Sequence, residues 1–125
     1  MRTPTPTLTP QELAIMKVVW KLESATVRDV YERLRAGRDV AYTTVLTMMN
    51  ILEQKGYVRK TRSDKAFVYR PTKPRAQVVG AMVREFVDRV FDGASRPMLL
   101  HLMKEAKLSD KERRTLLRAI EEVEE

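Results

Sequence analysis

Residues 41–70 read AYTTVLTMMNILEQKGYVRKTRSDKAFVYR. The spacing predicts a helix from about Tyr42 to Lys55, because Val45, Met48, Met49 and Leu52 fall at i, i+3, i+4 and i+7 and so form one apolar stripe. Gly56 follows, where a helix needs a residue that tolerates a left-handed cap. Beyond it, 57–62 and 66–70 read as short strands, since Tyr57, Val58, Phe67, Val68 and Tyr69 favour extended backbone. The polar Ser63-Asp64-Lys65 joins them as a hairpin. A helix followed by a basic hairpin is the order in which a winged helix-turn-helix reads a major groove and grips the adjacent phosphates.

The face of that helix opposite the apolar stripe carries Thr43, Leu46, Thr47, Asn50 and Gln54. Solvated faces ordinarily carry Lys and Glu. Short polar groups with one aliphatic suit base edges instead: Asn bonds adenine with two hydrogen bonds, and Thr or Leu methyl groups meet the thymine methyl. Thr43, Leu46, Thr47 and Asn50 are therefore the expected base readers. Tyr42 and Thr44 at the helix start, with Arg59, Lys60, Arg62 and Lys65 of the hairpin, are expected at phosphates, where they position the protein without specifying sequence.

Upstream, Thr9-Pro10-Gln11-Glu12 has the form of a capping box with proline at the first helical position. Leu13, Met16, Val19 and Trp20 then make a core-facing stripe. Thr26 can cap a second helix carrying Val27, Val30, Tyr31 and Leu34, ending near Ala36-Gly37. Two short helices joined by a tight turn through Arg38-Asp39-Val40 complete a helix-turn-helix.

Downstream, Pro71-Thr72-Lys73-Pro74 is a proline-punctuated joint, which predicts two domains, 1–73 for the winged helix and 74–125 for a helical extension. Residues 1–75 hold 15 Lys and Arg against 7 Asp and Glu, whereas 76–125 hold 9 against 10, so the basic charge belongs to the first part. Such clustering suits a polyanion. The extension reads as three helices, the first stopped by Gly93, the second capped by Ser95 and the third opened by a capping box at Ser109-Asp110-Lys111-Glu112. Three short helices bury too little surface to be stable alone, so they require a partner surface. A second copy is the economical one, with Val79, Met82, Val83, Phe86, Val90, Leu99, Leu102, Leu116 and Ile120 as the dimerisation residues. Folding back on the first three helices in a monomer is the alternative.

The fold class is thus mainly α with a small β wing. The absence of cysteine excludes disulfides and thiolate metal sites. No apolar run approaches a bilayer span and the first ten residues lack a signal-peptide core, so a cytoplasmic location is expected. No paired-carboxylate, Ser-His or metal constellation is present and His101 is the single histidine, so neither an enzyme nor a cofactor is expected. A winged-helix module that binds protein or RNA, with non-specific nucleic-acid affinity, is the competing functional reading.

Taken together, these segments resemble the penicillinase and methicillin-resistance repressors of the BlaI/MecI type. The resemblance rests on Leu8-Thr9-x-x-Glu12-x-x-Ile15-Met16-x-x-x-Trp20, Thr26-Val27-Arg28-Asp29-Val30, Tyr42-Thr43-Thr44-Val45, Leu52-Glu53-x-Lys55-Gly56 and Phe67-Val68-Tyr69, and it covers nearly the whole chain. It implies a homodimeric repressor on an inverted-repeat DNA operator, with a C-terminal dimerisation domain. It further implies a membrane-anchored sensor metalloprotease that triggers cleavage between positions matching His101 and Leu102. The family's best-studied members have an Asn-Phe pair there, and this chain does not. Copper-responsive relatives carry C-terminal cysteine pairs, which this chain lacks, and relatives often have a basic residue where Ile51 stands.

Overall fold

In the computed structural model, residues 8–124 are described, with the side chains of Ser95 and of 120–124 outside the description. The order is α1 (Pro10–Leu22), α2 (Val27–Arg35), α3 (Tyr42–Gln54), β1 (Val58–Ser63), β2 (Ala66–Pro71), α4 (Arg75–Val90), α5 (Ser95–Glu105) and α6 (Asp110–Glu124). The predicted class, helices with a small β wing, is what forms.

Local chemistry sets most boundaries. Thr9 caps α1 in a complete capping box: the Glu12 amide donates to its Oγ1 at 3.1 Å and its own amide donates to Glu12 Oε1 at 2.8 Å. Thr26 and Asp29 repeat the arrangement at α2, and Ser109 and Glu112 ahead of α6. Two hydrogen bonds at each site, one of them accepted by a carboxylate, satisfy donors that a helix start otherwise leaves free. Gly56 takes φ 85° after α3, a conformation that costs other residues about 1 kcal/mol or more. Ser95 departs from expectation: it is the first helical residue of α5, and Ala94 occupies the cap without a side-chain bond.

The hairpin is antiparallel, Val58 opposite Pro71 through Ser63 opposite Ala66, which leaves Asp64-Lys65 as the turn. Asp64 adopts φ 54°, a left-handed value that Asp tolerates better than most residues. A third, minimal edge comes from Ala25, whose amide and carbonyl both bond Tyr69. The core of this part joins Ile15, Met16 and Val19 of α1, Val27 and Val30 of α2, Val45, Met49 and Leu52 of α3, and Val58 and Tyr69 of the sheet, all buried. Met48 is only half-buried. Trp20, expected inside, is half-buried too: its indole N–H must find a partner and donates to the Lys73 carbonyl at 3.0 Å.

The chain divides into two compact units, Met1–Val79 and Gly80–Glu125. The division falls within α4, whose first turn grows directly from Pro74, the Pro74 carbonyl accepting from the Gln77 and Val78 amides. In the second unit Val87 and Met103 are buried, and Phe86 meets Phe91 edge to face with centroids 6.1 Å apart. No helix among the described residues is long and apolar enough to cross a membrane.

Candidate nucleic-acid interface

Helix α3 has no basic residue and only one acid, Glu53, near its end. Burying Val45, Met49 and Leu52 turns Thr43, Leu46 and Thr47 to the surface, and Leu46 is 40% exposed with no apolar reason to be so. These three residues form the exposed face of α3. Asn50 does not stand free beside them. It is half-buried, and its Oδ1 accepts from the Tyr69 hydroxyl at a long 3.4 Å. Burial, followed by the negative charge of Glu53, holds the Tyr69 phenol above its ordinary value, so it remains a donor.

The wing sorts its cations by strand alternation. Lys60 and Arg62 share a face with Phe67 and Tyr69, the face that reaches α3 through Tyr69–Asn50 and through Lys60 Nζ, 3.8 Å from Glu53 Oε1. Phe67 is 44% exposed and lies under both cations, with Lys60 Nζ 4.6 Å and Arg62 Cζ 5.7 Å from its ring centroid. Lys60 is therefore partly committed within the protein, whereas Arg62 has no carboxylate partner among the described residues. Lys65 is exposed in the turn. Arg59 alternates to the opposite face, opposite Arg70.

At the start of α3, Tyr42, expected at a phosphate, is joined by three residues that sequence reasoning missed, Arg28, Tyr31 and Arg35. The Tyr31 and Tyr42 rings meet edge to face at 5.5 Å, with Arg28 over Tyr42 at 5.6 Å and Arg35 over Tyr31 at 5.4 Å. Tyr42 is 38% exposed, so this stack brackets the start of α3 with a second set of cations. The spacing of Arg28, Tyr31 and Arg35 at i, i+3 and i+7, which puts them on one face of α2, was the available signal. Thr44 is half-buried.

The dimerisation residues divide by exposure. Val83, Phe86, Val90, Leu102 and Leu116 are exposed, while Val79, Met82 and Leu99 are half-buried. Ile120 has its side chain outside the described residues. Leu100 and Leu117 are exposed as well. His101 and Leu102 both lie exposed within α5, and His101 Nε2 is 3.9 Å from Glu105 Oε1 one turn on.

Comparison with known proteins identifies the architecture. The model of the penicillinase repressor family matches residues 8–122. The transcriptional regulator BlaI of Mycobacterium tuberculosis is 36% identical over 115 residues, covering 90% of this chain and 82% of that protein. The penicillinase repressor of Bacillus licheniformis is 27% identical over 117 residues, 94% of this chain and 91% of that protein. Among solved structures, the DNA-binding domain of the repressor BlaI superposes with a TM-score of 0.53 at 28% identity, covering 60% of this chain and 92% of the domain. The Bacillus licheniformis BlaI monomeric form in complex with the blaP half-operator gives a TM-score of 0.51 at 29% identity, over 58% of this chain and 89% of that one. By its helices, its wing and a family match that spans almost all of its length, this chain belongs to the penicillinase repressor family of transcriptional repressors, which are not enzymes.

Proposed function

We propose that this protein is a sequence-specific transcriptional repressor that binds an inverted-repeat operator as a homodimer. The observation that carries the reading is the exposed face of α3, uncharged at Thr43, Leu46 and Thr47 and bracketed by the Arg28–Tyr42 stack on one side and by Arg62 and Lys65 of the wing on the other. An uncharged reading face between two phosphate grips suits base edges flanked by backbone. The BlaI half-operator complex supports DNA as the partner.

Two recognition helices about 34–36 Å apart would enter successive major grooves on one side of the duplex, where occupancy obstructs polymerase. Val83, Phe86, Val90, Leu102 and Leu116 would form the interface between copies, since large apolar side chains this exposed favour burial against a partner. Derepression in this reading is proteolytic, at the exposed His101–Leu102 position, under a membrane-anchored sensor metalloprotease.

Binding of operator and random duplexes by fluorescence anisotropy tests the central point. Thr47→Ala is expected to weaken operator binding by about 1–3 kcal/mol while leaving random-duplex affinity near wild type. Equal loss on both duplexes rejects base reading by α3. Phe86→Glu is expected to sediment as a monomer, and an unchanged dimer rejects the interface. Fragment masses after exposure to the sensor protease locate the cut, and a cut outside α5 rejects the release step.

A further inference from the structure

The outer face of the wing and the flank of α1 carry cations that the operator-reading face does not use. One cleft of about 710 Å³ is lined by Lys17, Trp20 and Lys21 of α1, by Arg70 and Pro71 of β2, and by Arg75 at the start of α4. A second, of about 360 Å³, is lined by Arg59, Thr61 and again Arg70. Arg70 joins the two. Glu23 is the sole acid lining either, and none of Lys17, Lys21, Arg59, Arg70 or Arg75 makes an ion pair among the described residues. By contrast, Arg28, Arg35, Lys55 and Lys60 all have carboxylate partners.

Two features make this more than a solvated surface. Arg59 and Arg70 are register partners across the hairpin, and like charges directly opposed destabilise a strand pair unless something neutralises them. Trp20 is fixed at the cleft by its bond to Lys73, so an aromatic edge is held among the cations. The cations are also distributed along two adjoining shallow clefts. Such a row fits a polymer with regularly repeated anions, and a single buried cavity would fit an isolated one. Side-chain alternation puts Arg59, Thr61 and Arg70 of this row on the strand face opposite to the one that reaches α3.

We propose that this cleft pair is a second phosphate-backbone site, which holds a duplex segment separate from the one read by α3 and so allows the operator-bound protein to bridge two DNA segments. The proposal rests on the DNA-binding reading above.

The test immobilises a full operator duplex, saturates it with protein, and measures capture of a labelled random-sequence duplex. Wild type is expected to capture it in a salt-sensitive way. Arg70→Gln with Arg75→Gln should lower capture at least about tenfold, the order expected for two lost phosphate contacts, with operator affinity unchanged. Lys17→Gln with Lys21→Gln provides the same test from α1, where the substituted side chains are exposed and folding is not at stake. No capture by wild type, or capture by both double variants equal to that of wild type, overturns the second site. Parallel loss of operator affinity and capture also overturns it, because the cations would then belong to the operator interface. If wild type shows no preference for operator over random duplex, the repressor reading fails. Capture by protein loaded on any immobilised duplex still decides the second site.

Discussion

Glu12 is the only buried charged residue in the described core, 2% exposed, and it ties the first turn of α1 to the end of α3. Its carboxylate accepts from Lys55 Nζ at 2.9 and 3.0 Å and from the Thr9 amide at 2.8 Å. Burial by itself would raise this carboxyl, but the Thr9 amide and then the Lys55 ammonium outweigh it and hold the group below its ordinary value of 4.5. Glu12→Gln keeps the size and can keep the Thr9 bond while removing the charge. Breaking a buried pair commonly costs about 3–5 kcal/mol, but the Lys55 side chain is 27% exposed and recovers some hydration, so we expect about 2 kcal/mol. For a unit of this size that is a fall in melting temperature of roughly 10 °C. Calorimetry of the full chain, with Lys55→Met and the double variant, should give a coupling of about 1–2 kcal/mol. Because the folded-state carboxyl titrates low, its contribution is present above about pH 4.5 and is lost as pH falls through the folded value. The gap between wild type and Glu12→Gln should therefore be widest at neutral pH and close in acid. A coupling below about 0.5 kcal/mol, or a gap that persists in acid, would refute the reasoning.

Other substitutions probe neighbouring points. Gly56→Ala meets no atom within 4 Å, so its cost is purely the left-handed backbone at φ 85°, about 1 kcal/mol by denaturant midpoint. Glu53→Gln releases Lys60 and removes a negative charge beside the reading face. Affinity for all duplexes should rise, and the salt slope should steepen by about 1. Trp20→Phe removes the donor to the Lys73 carbonyl and should cost about 1 kcal/mol or less, the acceptor being solvent-accessible, as read from thermal melts.

What the sequence disclosed was whatever depends on neighbours a few residues apart. The capping boxes at Thr9, Thr26 and Ser109, the stop at Gly56 and the buried stripe of α3 are all local, and each forms where its residues indicate. Apart from the cap of α5, which falls at Ala94 and not Ser95, and Met48, which is only half-buried, the departures turn on partners outside the local pattern. Trp20 meets Lys73, Asn50 meets Tyr69 and Lys60 meets Glu53, and no periodicity in either segment announces such a meeting.

Those contacts change how the proposed reading face would divide its tasks. With its Oδ1 engaged by a phenol that stays protonated, Asn50 offers its amide N–H donors more readily than its acceptor, whereas bidentate adenine recognition needs both. Adenine reading at that position would require the 3.4 Å contact to open, and a bond this long yields at small cost. Thr43, Leu46 and Thr47 need no such rearrangement. Discrimination should accordingly rest first on methyl and hydroxyl contacts from these three, with Asn50 adding specificity only in the bound state.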